Sequence, residues 1–447
     1  MSMNRRSFLK VLGAGAGAAF VADPILRAFA DGGASREYFI LIHASGGWDV
    51  TLWSDPRNQD KGLVDPATDV LLTTAGITNW VDLDMGGGAS TFKIVQKGNY
   101  QLGPTMGTLV DLYDRFTLVN GISMNTVSHP DGTYFSSTGR HLAGGRPVAA
   151  SIDTMLANEF GREAILPVVS VNYPSTFLGS ELDQRVIPLR VSDITSVSKS
   201  LARSALYTTD AERSAVTAML SDEAAELAST AFRPDVPMGL SLQFDALQKM
   251  LGPSVNGLFN ATALKQAHPG FNYTGRFQGG PCVNAAFAIE AIKRGMVRCV
   301  SFAAGGFDTH NSNYKNQGLT QQELFELVAQ LVREMDQTTF EGSSDKLSDH
   351  VHILVVSEFC RTPQVNLNGG RDHYPNNSAL IVSPRFRGNT VFGKSDPDQL
   401  LPMDAGVFSD GMRAPTPADV LATFLGAFGV DPRKYMRDGD VIKELLK

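Results

Sequence analysis

Six short runs of Val, Ile, Leu and Phe, each closed by a glycine-led or polar turn, constrain this 447-residue chain more than any other feature. They run from Tyr38 to His43, Phe116 to Asn120, Leu166 to Ser170, Val297 to Phe302, Val351 to Val356 and Ala379 to Val382. A strand with one wet face alternates apolar and polar residues. Near-continuous apolar runs belong instead to strands covered on both faces, as in parallel sheets. Between them, Thr105 to Tyr113, Ser151 to Glu159, Val283 to Arg294, Gln321 to Met335 and Pro417 to Phe428 repeat apolar positions three and four residues apart. That is the spacing of one helix face. Strands alternating with helices predict an α/β fold with a mostly parallel central sheet and flanking helices. From about residue 192 to 272 the chain turns Ala-, Leu-, Ser- and Glu-rich, which reads as a helical insertion or cap within a domain spanning 31–447.

The N-terminus reads as an address. Arg5 and Arg6 stand directly before a mild, glycine-rich apolar run, Val11 to Val21, and Ala28-Phe29-Ala30 supplies a small-residue exit. A charged start, a short apolar stretch and such an exit make a secretory signal, here residues 1–30, and the arginine pair points to twin-arginine export. The expected location is periplasmic or secreted, with no membrane anchor once the signal is removed. The net charge of -7 offers no basic footprint for nucleic acid. Cys282, Cys299 and Cys360 are too few for a disulfide framework. Cys299 reads as buried packing, and one disulfide stays open as a choice of pair.

Chemistry-bearing residues collect just past the predicted strands, the edge at which open α/β sheets bind ligands. Gly46-Gly47-Trp48-Asp49 follows the first run, with Asp49 either a ligand or a turn-forming cap. Gly306-Phe307-Asp308-Thr309-His310 places a carboxylate and an imidazole two residues apart, a donor pair suited to zinc or a similar divalent ion. Ser357-Glu358-Phe359-Cys360-Arg361 sets Glu358 at a strand exit, with Arg361 close enough to pair with it or to bind an anion. Gly370-Arg371-Asp372-His373 adds a guanidinium, a carboxylate and an imidazole on one turn. After Phe116 to Asn120, the segment Thr126 to Thr133 carries Ser128, a hydroxyl that becomes a nucleophile only beside a base or a metal, and His129. His43, His350 and His352 read as structural.

These motifs together resemble the exported bacterial family called domain of unknown function 1501. The resemblance rests on the twin-arginine leader, Gly46-Gly47-Trp48-Asp49, Gly306-Phe307-Asp308-Thr309-His310, Ser357-Glu358-Phe359 with Arg361-Thr362-Pro363, and Gly369-Gly370-Arg371-Asp372-His373-Tyr374-Pro375. That family is similar in fold to the alkaline phosphatase and sulfatase superfamily. The resemblance implies metal ions at the strand ends, with Asp49 as first-strand ligand, Asp308 and His310 as a ligand pair and His373 as a late ligand. Glu358 takes the place of an Asp that a ligand histidine follows in the phosphatases, and Phe359 stands where that histidine would be. Asp372 or His129 is a candidate to make up the loss. The expected ligand set is therefore Asp49, Asp308, His310, Glu358, Asp372 and His373 around a divalent ion, zinc by donor type. The expected activity is hydrolysis of a phosphate or sulfate ester, small or polysaccharide, with Ser128 as nucleophile and Arg361 and Arg371 neutralising the anion. A non-catalytic exported binding or surface-assembly protein on the same fold is the competing expectation.

Overall fold

The computed structural model describes residues 36–57, 94–201 and 257–447 apart from 278 and 365, together with isolated positions between 209 and 255. The export signal and the Met85 to Ser90 glycine loop lie outside the described residues, as does most of the expected helical insertion. Contacts divide the chain into two compact units, one holding Ser35–Ser192 and Lys265–Lys447, the other holding Asp193–Leu264. Among the described residues of the second unit, Ile194–Leu201 is helical. No helix among the described residues is long and apolar enough to cross a membrane.

The first unit is built on one sheet of eight strands. In chain order they are β1 (Tyr38–Ser45), β2 (Phe116–Val119), β3 (Leu166–Val171), β4 (Leu189–Val191), β5 (Val297–Gly305), β6 (Val351–Val356), β7 (Ala379–Val382) and β8 (Thr390–Phe392). Their order across the sheet is β8-β2-β7-β6-β1-β5-β3-β4. Only β7 runs against the others, pairing antiparallel with both β6 and β2. All six apolar runs are strands of this sheet, and the sequence left unmarked the two short edge strands, β4 and β8.

Burial on both faces explains why these runs are strands. In β1, Phe39 and Leu41 join a core cluster with α2 (Ile152–Phe160) and α5 (Pro417–Gly426), through Met155, Leu156, Leu421 and Phe424. Ile40 and Ile42, on the alternate positions, are also fully buried. On β5, α3 (Gly280–Lys293) packs with residues outside that cluster, and α4 (Asn313–Gln337) packs on α3. Each fully buried Val, Leu, Ile or Phe contributes roughly 1.5–3 kcal/mol, so runs of this kind hold the sheet between its helices.

Two differences from the sequence expectation bear on the site. The helix α4 begins at Asn313, two turns before the apolar periodicity does. Its first turns carry Gln317 and Gln321, which are polar yet buried. Residues His129–Thr138 form a further helix, α1, in a stretch too polar for its periodicity to announce a helix. Proline in the first turn and Gly139 in the left-handed conformation at its end mark its limits.

At the exit of β1 the chain closely approaches a neighbouring loop. Gly46 has φ of 122°, and a Cβ there would stand 2.2 Å from the amide nitrogen of Asp308. Both the conformation and the space require glycine. Gly46→Ala is therefore expected to cost about 1–3 kcal/mol in backbone strain alone, with a steric cost added. Chemical denaturation of the variant measures this loss, and an unchanged midpoint would contradict the close approach.

Candidate metal centre

The seven co-directional strands end on one edge, and the antiparallel β7 begins there. Asp308 follows β5, Glu358 follows β6, and His129 opens the helix that follows β2. Arg371 to His373 lead into β7, so the last motif reaches the same edge from the opposite chain direction. Backbone bonds lock this segment to the Asp308 loop, with Arg371 N–H donating to the Thr309 carbonyl at 3.1 Å and Asn313 N–H to that of Gly369 at 2.8 Å. A Cβ on Gly370 would lie 1.9 Å from the His310 carbonyl group, so only glycine lets the two loops touch. His373–Tyr374 also pairs antiparallel with Cys360–Arg361, which joins the β6 exit to the same assembly.

His129, Asp308, His310 and His373 converge, their ligand atoms all within 4.8 Å of one another. Three of the group's members are imidazoles with Nδ1 committed. His129 Nδ1 lies 3.0 Å from Glu358 Oε1, His310 Nδ1 2.8 Å from Asp372 Oδ1, and His373 Nδ1 2.7 Å from the Val127 carbonyl oxygen. Each acceptor calls for an Nδ1–H donor, which leaves each Nε2 with its lone pair toward the cluster, that of His310 also 3.4 Å from Arg361 Nη1. His310 Nε2 and His373 Nε2 are 3.0 Å apart. Two lone pairs at that distance repel unless a proton or a cation lies between them. His129 Nε2 is buried with no hydrogen-bond partner among the described residues. Asp308 Oδ1 completes the group at 3.2 Å from His310 Nε2, 3.7 Å from His129 Nε2 and 4.0 Å from His373 Nε2. Ligand atoms about 2.0 Å from a tetrahedral zinc are about 3.3 Å apart. Three imidazoles and one carboxylate of this spacing fit a divalent ion of borderline softness.

The electrostatics match. Burial opposes ionisation of Glu358, yet the His129 hydrogen bond, the His43 imidazole and the Gly46 N–H at 2.7 Å together hold its carboxyl down at about 2. Asp308 is likewise held low against burial by the Arg361 guanidinium, and Asp372 by its bond to His310. The hydrogen bond to Glu358 raises His129, whereas burial pushes His373 down.

Not every expected ligand is part of the cluster. Glu358 and Asp372 bind the Nδ1 side of ligand histidines, where they orient the rings. Asp49 is fully buried and taken up elsewhere. It caps the turn Val50–Leu52 through the Thr51 N–H, and it accepts from Thr51 Oγ1 at 2.7 Å, Asn313 Nδ2 at 2.7 Å and Arg371 Nη1. Arg371 is equally buried, spent on Asp49, Thr51 and the Tyr314 hydroxyl. Arg361 donates through Nε to the Gly47 carbonyl, through Nη1 to that of Arg371 and at 3.4 Å to His310 Nε2, and through Nη2 to the Gly46 carbonyl and Asp308 Oδ1. Neither arginine faces an incoming anion. Ser128 is the exposed N-cap residue of α1, with no side-chain capping bond, directly before His129.

Gln317 and Gln321 escaped the sequence reading, being ordinary polar residues on a helix. One turn apart on α4, they reach the glycine loop together. Gln317 Nε2 donates to the Gly47 and Phe307 carbonyls at 2.9 and 2.6 Å, and Gln321 Nε2 to the Asp49 carbonyl at 2.9 Å. His129 was offered by the sequence only as an alternative to Asp372. Its helix had no apolar signature, so nothing fixed where the imidazole would stand.

Removing one partner of a buried ion pair leaves the other uncompensated, at a cost of about 3–5 kcal/mol. Asp49→Ala is expected to lose stability of that order in denaturant unfolding while the folded variant keeps the wild-type metal affinity. Loss of metal with stability intact would make Asp49 a ligand after all.

Solved structures match this chain only at low similarity. The solved structure described as Ps i-CgsB has a TM-score of 0.36 and 9% identity, over 88% of this chain and 72% of that one. The same protein in complex with k-i-k-neocarrahexaose gives 0.34 and 10%, over 89% and 73%. BT4656 in complex with D-glucosamine-2-N,6-O-disulfate gives 0.33 and 9%, over 92% and 83%. The α/β description above stands on the strand order itself. No curated protein matches the chain. The family model described as "Protein of unknown function (DUF1501)" matches residues 36–440, and the chain belongs to that family.

Proposed function

We propose that this protein is an exported metal-dependent hydrolase of phosphate or sulfate esters. The observation that carries the reading is the convergence of three Nε2 lone pairs and the Asp308 carboxylate on one point of the sheet edge. His129, His310, His373 and Asp308 would hold the ion, which would polarise an ester oxygen and lower the pKa of a water or hydroxyl nearby. The site is open to solvent, with the Asp308 side chain 53% exposed.

The protein's own groups supply the rest. Glu358 and Asp372 keep the imidazoles in one tautomer, and Arg361 keeps Asp308 ionised and aimed. Ser128 offers a candidate hydroxyl, exposed, next to a ligand histidine and without a side-chain capping bond. Beside His129 lies a cleft of about 780 Å³, lined by Tyr173, Ser175, Thr176, Asn172 and the exposed Arg190 among others. Hydroxyl and amide groups there suit the polyol part of an ester, and Arg190 on the same lining would pair with an anionic group of the substrate, a role the buried Arg361 and Arg371 are not free to fill. Export rests on Arg5 and Arg6 ahead of the apolar run.

Asp308→Asn is expected to lower divalent-metal affinity by one to two orders of magnitude and to abolish turnover of aryl phosphate or sulfate esters, with the fold intact by circular dichroism. Metal content and turnover that survive the change would refute the site. Ser128→Ala then separates a serine nucleophile, which loses turnover at full metal content, from attack by water, which does not. For export, Arg5→Lys with Arg6→Lys should retain the precursor in the cytoplasmic fraction. Unimpaired appearance of mature protein outside the cytoplasm would exclude the twin-arginine route.

A further inference from the structure

We infer that the centre takes a single divalent ion, and that the Arg361 guanidinium supplies the second positive charge beside it. The inference rests on the reading of the cluster as a metal centre. Hydrolytic sites that use two ions hold them about 3.5–4 Å apart, so that both ends of the displacement meet a cation. In this protein the position next to the cluster is filled by a side chain. Asp308 Oδ1 lies 3.2 Å from His310 Nε2 and 2.7 Å from Arg361 Nη2, and the Nη1 of the same guanidinium is 3.4 Å from His310 Nε2. The carboxylate is shared between the ligand group and the guanidinium, as it would be shared between two ions.

The seat of Arg361 has the chemistry of a cation site. The side chain is fully buried. Around it stand the Asp308 carboxylate and the carbonyls of Gly46, Gly47 and Arg371, all of them oxygen acceptors, and on the cluster side His310 Nε2 lies 3.4 Å from Nη1. Arginine cannot lose its proton inside a protein, so this charge is permanent. A second ion could enter there only by expelling the guanidinium from bonds to the exits of β1 and β5 and to the segment ahead of β7.

The acids that could have served a second ion are also engaged. Glu358 accepts from Gly46 N–H and binds His129, Asp372 binds His310, and Asp49 is paired with Arg371. Charge balance agrees with this count. Around neutral imidazoles, Asp308, Glu358 and Asp372 against Arg361 leave two net negative charges, which one divalent ion cancels. A second ion would leave the half-buried site with excess positive charge, which low-dielectric surroundings penalise.

The test is a count of ions. The full chain is stripped with chelator and reloaded with Zn2+ or Mn2+, ions per chain are measured by elemental analysis and titration calorimetry, and electron paramagnetic resonance of the Mn2+ form reports any spin-coupled pair. One ion per chain with an uncoupled signal is expected. Two ions with a coupled signal would overturn the single-ion inference and leave the metal reading standing, and no ion at all would overturn both. Arg361→Ala, if folded, is expected to admit a second Mn2+ at millimolar concentration, while Arg361→Lys stays at one. A folded Arg361→Ala that still binds one ion would overturn the role given to Arg361. Should Arg361→Ala fail to fold, the wild-type count and signal decide the matter.

Discussion

A guanidinium shut away from water must find an acceptor for its N–H groups, and Arg361 finds them at three separate strand ends. It leaves β6, takes the carbonyls of Gly46 and Gly47 after β1, the Asp308 carboxylate after β5, and the Arg371 carbonyl ahead of β7. Each bond to a charged donor in a dry site is worth more than its counterpart in water, and leaving any unmade is costly. The four loops at this edge are therefore interdependent. The glycines follow from the same constraint, since carbonyls can be turned inward so tightly only where Gly46 and Gly370 carry no Cβ.

A second buried arginine stands close in sequence and differs in use. Arg371 is sealed with Asp49, Thr51 and Tyr314 beneath the loop, and Gln317 and Gln321 of α4 complete that polar layer. A buried network of this kind is high in cost if any member is missing and rigid when complete. It makes a firm floor on which the exposed face of the edge can carry chemistry. Above that floor stand His129, His310 and His373, their Nδ1 atoms fixed by Glu358, Asp372 and the Val127 carbonyl. The carboxylates divide accordingly, Asp49 into the floor, Glu358 and Asp372 behind the histidines, and Asp308 into the cluster itself.

Much of the framework was legible from apolar patterning alone. Strands buried on both faces must read as unbroken Val, Ile and Leu, so all six inner strands were marked, while β4 and β8 are three-residue edge strands with too few positions to carry a pattern. The helix α1 was silent for a related reason. Its residues His129–Thr138 pack on α5 through few apolar side chains such as Phe135 and approach the β6 exit, where a Cβ on Gly132 would meet the Glu358 carbonyl at 2.4 Å. Because that helix was silent, so was the place of His129.

What the sequence determined by itself was the layered α/β architecture and the collection of acids, imidazoles and arginines at one sheet edge. Both follow from local rules, since apolar runs make strands and polar residues at their ends lie on one side of a parallel sheet. The sequence could not divide those residues between binding and support. Glu358 differs from Asp308, and Asp49 from both, only in which side chain stands opposite. That is set by the antiparallel entry of β7, the glycine contacts and the two buried guanidinium groups, all of them contacts between residues far apart in the chain. Tertiary structure alone brought His129 to the three residues after β5 and before β7, and tertiary structure alone drew Asp49 beneath the floor.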